Sequence, residues 1–529
     1  MGFRLTKLLV NMQSSVNMNH KPLSTVIGID VGTTSIKGML MDDKGGILAF
    51  ARQEYTLETR EGGICELDAE TYWEVTCQII RELIEKSKVD SLTIGGLAFS
   101  SQGETLIPVD RGGKPLRKAI VWLDNRSVEE AEEIKKQFGE QLIMEITGQP
   151  EVLPLWPATR ILWMKKHESQ IFERVSKFLL VEDFLIFKMT GKYYTEHSIS
   201  SSTLYFNISE KVWWPEMLRF LEITENQLPA LVRSGTVIGN LTPEAALSTG
   251  LSSNALCVAG AYDHPAGAIG SGNICRGDAT LTIGASMAMC VAIDKPVSDL
   301  ALRLPCHCHS VDGLYFLQPY GQTAGMVLKW FRDSFCQVEI MEAERDGLDS
   351  YDLLIQQAEK VPAGAEGLIM LPHLMGTGSP EFNPDAKGVW AGITMGMHKG
   401  HFVRAIIESV SLMIRRNIEA MNDKGIQVKV IHILGGASKS ELWNQILADV
   451  TGLPVVTLKN SENSVMGACL LASVGTGIFR DIESACQTSV EKQRVFRPEP
   501  SNHLLYGKAY LKYIHLYASL EKFWDLSNM

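Results

Sequence analysis

Short apolar runs broken by Gly-, Asp- and Thr-rich turns open the chain, and the same pattern returns near residue 280. Residues 26–29 (Val-Ile-Gly-Ile) read as a strand that ends in Asp30-Val31-Gly32-Thr33-Thr34-Ser35, a Gly/Thr turn. Residues 36–41 read as its return strand, residues 42–46 as the next turn, and residues 47–55 as a third strand. A helix is predicted over residues 69–87, where Trp73, Cys77, Ile80 and Ile84 recur at helical spacing. Residues 92–99 form an apolar run suited to a buried strand.

The later segment starts with a strand at residues 279–283, turns at Gly284-Ala285-Ser286 and returns over residues 287–293. Two hairpins, each with a small-residue turn carrying a hydroxyl, thus begin halves of comparable size. This weak internal repeat predicts two related α/β domains facing one another across a cleft. The break falls near residues 272–277, giving domains over residues 25–273 and 274–529. Long helices are predicted over residues 400–421, with Phe402, Ile406, Val410, Met413 and Ile414 on one side, and over residues 503–524.

Composition narrows the function classes. Apolar residues make up 45% of the 529 positions and charged residues 21%, ordinary values for a globular protein. The net charge of −11, with no basic stripe, argues against a nucleic-acid partner. Ten scattered cysteines without a CxxC pair suit a reducing compartment. No apolar run reaches the length of a membrane span, and the cytoplasm is the expected location. Residues 1–24 read as a loose tail or an upstream translation start, with Met18 as a second start.

Four segments can carry chemistry. In the first turn, Gly32 lets the backbone approach a phosphate closely, Thr33 and Thr34 offer N–H and hydroxyl donors, and Asp30 can hold a hydrated Mg²⁺. No GxxxxGK[ST] loop occurs, which excludes a P-loop. Asp263 follows an apolar strand at residues 255–259 and precedes a helix rich in small residues. It can orient an alcohol and take its proton, or it can cap the helix. Leu434-Gly435-Gly436-Ala437-Ser438 leads into a helix at residue 441, with Ser438 and Glu441 in a capping-box pattern. A Gly-Gly turn there can accept a nucleotide. Gln102, Glu104 and Asp124 lie beyond strand ends and can hydrogen-bond sugar hydroxyls, as ordinary loop residues also do. In Cys306-His307-Cys308-His309, alternation on a strand sends the two Cys and the two His to opposite faces, which disfavours a zinc site.

Together and in this order, over residues 25–490, these pieces resemble the FGGY carbohydrate kinases. One family signature is matched by Gly388-Val-Trp-Ala-Gly392-Ile, a seven-residue spacer and His401-Phe-Val-Arg-Ala405-Ile-Ile-Glu408. The other is nearly present from Leu155 to His167, with departures at Leu155 and at Arg160, where the family usually has Lys. The resemblance implies two actin-like, RNase H-type domains with ATP and sugar in the interdomain cleft. On this chain it implies Asp263 as catalytic base and Asp30 near Mg²⁺. Gly32, Thr33 and Thr34 would line one phosphate hairpin, and Thr282, Gly284 and Ser286 the other. Ala285 replaces a common Thr in the latter. Gly436 and Ser440 would lie beside the adenosine. His264, next to the base, joins Gln102, Glu104 and Asp124 as a substrate residue. The segment Gln102-Gly103-Glu104 has neither the Met-His pair usual in xylulose kinases nor the Arg usual in glycerol kinases.

The resulting expectation is a kinase using ATP and Mg²⁺ on a hydroxyl of a small sugar or polyol. A ketopentose such as xylulose is favoured over glycerol, erythritol, gluconate or another ketose. An actin-like ATPase and a non-catalytic sugar sensor are the rival classes, and a homodimer is the candidate assembly.

Overall fold

The computed structural model describes residues 24–525; residues 1–23 of the tail read above lie outside the described residues. Among these, no helix is long and apolar enough to cross a membrane.

The first sheet has six strands in the order Val237–Asn240, Leu256–Tyr262, Ile94–Ser101, Thr25–Val31, Ser35–Asp42, Ile47–Glu54. Leu256–Tyr262, Ile94–Ser101 and Thr25–Val31 run parallel, and the remaining pairings are antiparallel. Alternation along Thr25–Val31 assigns its two faces. Ile27, Ile29 and Val31 pack with Tyr72, Ile79 and Leu83 of the helix Ala69–Ser87. Val26 packs on the other face with Val465, Met466 and Cys469 of the helix Asn463–Gly475, which comes from the far end of the chain.

The second sheet runs Cys306–Cys308, Tyr315–Leu317, Met287–Ile293, Asp278–Ile283, Val430–Gly435, Val455–Leu458, Lys492–Phe496, with Tyr320–Gly321 also paired to Met287–Ile293. From Tyr315–Leu317 onward its pairings are antiparallel, antiparallel, parallel, parallel, antiparallel. The first sheet, read from Ile47–Glu54, has the same sequence of senses. The internal repeat seen as two hairpins therefore extends to whole sheets, and the fold is the doubled α/β arrangement expected.

Most predicted elements recur with ends moved by a residue or three: the helix Ala69–Ser87 is unchanged, and that at 400–421 becomes Lys399–Asn422. The strand predicted over 255–259 is a larger departure. It continues to Tyr262 through a register shift between Val258 and Ala261. At Gly260 a Cβ would stand 1.6 Å from the Phe99 carbonyl oxygen, so only glycine lets the bulged backbone pass its neighbour.

The helices Asp263–Gly270 and Asn463–Gly475 cross backbone against backbone. A Cβ on Gly270 would lie 1.9 Å from the Asn463 carbonyl oxygen, and one on Gly467 would lie 2.0 Å from that of Ala266. Neither carbonyl belongs to a flexible side chain, so a methyl group forces the helices apart. Gly467→Ala is expected to cost about 1–3 kcal/mol, the usual range for overpacking. The check is a lowered denaturant midpoint relative to Gly507→Ala, a site where an added Cβ meets nothing within 4 Å.

Candidate active site

Three parallel strands of the first sheet end side by side. Asp30 pairs in register with Ser100, and Ser101 with Tyr262. Asp30, Gln102 and Asp263 therefore leave adjacent carboxyl ends, where open α/β sheets bind ligands. A cavity of about 300 Å³ lies there, walled by both halves of the chain. Thr33, Gln102, Glu104, Trp122, Asp263 and His264 come from the first, and Arg303, His307, Gln318, Tyr320 and Phe382 from the second.

Asp263 is the first residue of its helix, Tyr262 holds the cap position, and no side chain caps the helix. The capping alternative is not realised. Its Oδ1 is buried without a hydrogen-bond partner. The side chain is 36% exposed, but that surface opens into the cavity, so protein atoms surround most of the carboxylate. Burial raises its pKa above the ordinary 3.8, and His264, with Nε2 4.0 Å away, only partly opposes this.

Asp30 accepts a 2.7 Å hydrogen bond from Ser100 Oγ. Burial pushes its carboxyl up to about 6; Ser100 opposes the shift, and the charge of Asp263 adds to it. Lys37, in register with Asp30 across the hairpin, is paired to Glu462 at 2.6 Å. A buried carboxylate beside other carboxylates fits a hydrated Mg²⁺ arriving with phosphates, since that ion needs only one or two carboxylates. Among the described residues no group of three or more His, Cys, Asp or Glu is arranged as a protein-only metal cage.

The two hairpins expected to meet phosphate have matching turns. Gly32 N–H bonds the Ser35 carbonyl at 3.1 Å, and Gly284 N–H bonds that of Ser286 at 3.0 Å. Thr34, Thr282, Gly284 and Ser286 are exposed, so the hydroxyls of Thr34, Thr282 and Ser286 can reach a ligand. Thr33 accepts a 2.9 Å bond from Trp122 Nε1 and also lines the cavity, so it joins the hairpin to the sugar side. Ile283 pairs in register with Gly435, which brings Gly436 next to the second hairpin. The predicted cap differs. Ser440, not Ser438, caps Glu441–Thr451 by accepting from Trp443 N, while Ser438 Oγ turns back to the Gly435 carbonyl. The Gly-Gly turn spends Gly436–Lys439 in a 3₁₀ turn before the helix starts, which shifts the cap by two residues.

On the sugar side the structure gathers Gln102, Glu104, Asp263 and His264 in the cavity but not Asp124. Asp124 is fully buried, takes both arms of Arg126 at 2.8 and 2.7 Å and accepts from Cys65 N at 2.6 Å. Gln102 Nε2 faces Tyr72 Oη at 3.2 Å, and its Oε1 has no partner. Glu104 holds a left-handed backbone (φ 57°). Burial pushes its carboxyl up to about 8, with Asp263 adding and Arg160 opposing, so it keeps its proton at neutral pH.

Arg160, fully buried, donates to the backbone carbonyls of Glu104 (2.7 Å), Ile120 (3.3 Å), Trp122 (2.8 Å) and Asp124 (3.0 Å). One guanidinium fork thereby fixes both sugar-side segments. The sequence shows Arg160 only as a departure from a signature. Arg303 carried no local signal, because its partners are distant in the chain; His307 was legible only in the Cys-His alternation and Trp122 only beside Asp124. In the strand Cys306–Cys308 the alternation holds: Cys306 and Cys308 pack into the core and His307 faces the cavity.

Two measurements test this construction. Arg160→Lys cannot reproduce the fork, and an orphaned buried carbonyl costs about 1–3 kcal/mol; a lower melting temperature and a raised sugar KM with unchanged ATP KM are expected. For Glu104, the folded pKa of about 8 stands above the ordinary 4.5. The folded state binds this proton more tightly, so its stabilising effect is full below 4.5 and is lost as pH rises through 8. Glu104→Gln stays neutral throughout, and its melting temperature relative to the wild type should rise from pH 5 to pH 8.5.

Comparison with known proteins agrees with this geometry. Residues 25–270 match the N-terminal domain, and residues 279–476 the C-terminal domain, of the FGGY family of carbohydrate kinases. The chain is 30% identical over 492 residues to the xylulose kinase of Bacillus subtilis, covering 93% of this chain and 96% of that protein. It is 31% identical over 459 residues to the gluconokinase of the same organism, covering 86% and 88%. The crystal structure of xylulose kinase from Rhodospirillum rubrum superposes with a TM-score of 0.86 at 26% identity, covering 95% of this chain and all of that one. The two-domain, actin-like architecture, the shared cavity and these matches lead to one assignment: the chain belongs to the FGGY family of carbohydrate kinases and is an ATP-dependent kinase of small sugars or polyols.

Proposed function

We propose that this kinase acts on a terminal or near-terminal hydroxyl of an uncharged ketose, with xylulose the favoured substrate, in the cytoplasm and with Mg²⁺. The observation that carries the reading is the unpartnered, buried oxygen of Asp263 in a cavity walled by both halves of the chain. Residues 25–273 would supply the base and most sugar contacts, and residues 274–529 the nucleotide site.

In this reading Asp263 aligns the hydroxyl and accepts its proton as the γ-phosphoryl of ATP transfers. Its raised pKa makes it a better proton acceptor than a solvated carboxylate. Gln102 Oε1 accepts from a second hydroxyl, and protonated Glu104 donates to another. The turns at Gly32–Thr34 and Gly284–Ser286 would hold the phosphates through N–H groups and hydroxyls, with Gly436 and Ser440 beside the adenosine. Mg²⁺ bound near Asp30 would supply charge that offsets the phosphates.

A sugar acid is the second reading, raised by the gluconokinase relative. Arg303 is the cation in the cavity wall that a carboxylate would meet. It is already paired to Glu151 and stacked over Phe382 with 5.0 Å to the ring centroid. An acid substrate would have to displace Glu151, so the neutral sugar ranks first.

A coupled ADP-release screen over ketopentoses, hexuloses, polyols and aldonates tests the substrate. Xylulose should give the highest kcat/KM, and ADP release no faster with any sugar than without would defeat the kinase reading. Asp263→Asn should lower kcat by about 10²–10⁴-fold with ATP KM unchanged. In the wild type, kcat/KM should fall on acidification with a midpoint above 3.8, the ordinary value for an aspartate.

A further inference from the structure

His307 lies on the strand Cys306–Cys308 of the second sheet, yet it lines the same cavity as Asp263 and His264. It is 2% exposed. Its ring stacks on Phe316, its partner across the strand pair, with centroids 5.0 Å apart and planes 10° apart. Tyr262, the residue before Asp263, is tilted against its other neighbourhood at 5.9 Å. The strand is fastened to the first half of the chain on either side of His307: Cys306 N–H bonds the Gly148 carbonyl at 2.9 Å, and Cys308 N–H bonds Ser201 Oγ at 3.1 Å. The imidazole is thus fixed in position, and its Nδ1 is buried with no partner. Buried polar nitrogens are ordinarily bonded, and one left unpaired on a residue that lines a ligand cavity points to the ligand.

We infer that His307 is a specificity-determining residue of this kinase, which binds a hydroxyl of the sugar close to the one phosphorylated. The inference rests on the kinase reading above and adds to it a sugar ligand from the second half of the chain. Burial, with His264 nearby, lowers the ring's pKa to about 3, so it is neutral at working pH. A neutral imidazole has one N–H donor and one acceptor nitrogen. An alcohol satisfies either nitrogen, whereas a carboxylate only accepts. A hydroxyl therefore suits Nδ1 in either tautomer, and a carboxylate only when Nδ1 carries the proton. Because Asp263 and His307 belong to different sheets, a sugar touching both also reports their spacing.

The test is steady-state kinetics of His307→Phe and His307→Asn with xylulose, ribulose, glycerol and gluconate. Phe keeps the ring stacking and removes both nitrogens; Asn restores a polar group near the Nδ1 position. His307→Phe should raise KM for the preferred sugar about tenfold or more, the cost of leaving a buried polar group unpaired. ATP KM should stay within twofold, and His307→Asn should recover part of the loss. An unchanged sugar KM in His307→Phe overturns the inference, as does an equal rise in both KM values, which marks a structural role. If His307→Phe does not fold, His307→Asn decides by the same comparison. A wild-type enzyme inactive on every sugar defeats the kinase reading itself, and this inference with it.

Discussion

The crossing of two helices, backbone against backbone at Gly270 and Gly467, is the constraint on which the site depends. Asp263–Gly270 follows directly from a strand of the first sheet, and Asn463–Gly475 comes from the second half. The contact at Gly270 and Gly467 sets their separation. Asp263 stands at the start of one helix, and Ser464 Oγ of the other donates to its backbone carbonyl at 3.2 Å. Glu462, just ahead of the second helix, pairs with Lys37 on the first phosphate hairpin. Gly28 brings the same helix down onto the central strand that delivers Asp30, since a Cβ there would lie 2.4 Å from the Val465 carbonyl oxygen. Asp263, the hairpin at Gly32–Thr34 and Asp30 are thus referred to one helix pair.

Electrostatics explains why those groups need so firm a frame. Asp30, Glu104 and Asp263 are all pushed up by burial, and Asp263 adds to the shift of the other two. Like charges in a shared low-dielectric space cannot all ionise cheaply. The cavity settles this by division of labour. Glu104 keeps its proton, Asp30 has Ser100 and Lys37 nearby, and Asp263 keeps an unpartnered oxygen. Arg160 helps to hold the arrangement, though its four hydrogen bonds go to backbone carbonyls and none to a carboxylate.

What was legible in the sequence follows from how each function is built. A turn suited to phosphate uses backbone N–H groups, which demand Gly and small hydroxyl residues at contiguous positions, so Gly32–Thr34 stood out as a candidate, and Gly284–Ser286 was visible as a matching small-residue turn. Asp263 stood out through its strand-to-helix context, although the strand's continuation to Tyr262 through a bulge did not, because Gly260 looks like a terminator. Asp124 was misleading for a physical reason. A carboxylate beyond a strand end suits a sugar or an arginine equally well, and only the fold shows Arg126 occupying both its oxygens. The same holds for Ser438 and Ser440, both plausible caps two residues apart.

Sugar recognition left a fainter trace because its parts are held together from a distance. The loop at Gln102–Glu104, the segment at Trp122 and the strand at His307 meet only after folding. The residue that joins the first two, Arg160, touches backbone alone. A backbone carbonyl is the same at every residue, so the partners of Arg160 need have no particular side chains and leave no pattern to read. The turns at Gly32–Thr34 and Gly284–Ser286 can therefore stay recognisable while the cavity wall exchanges side chains on a fixed frame. That asymmetry is why the family was readable from the sequence and the sugar was not, and why substrate choice has to be sought in cavity side chains such as Glu151, Arg303 and His307.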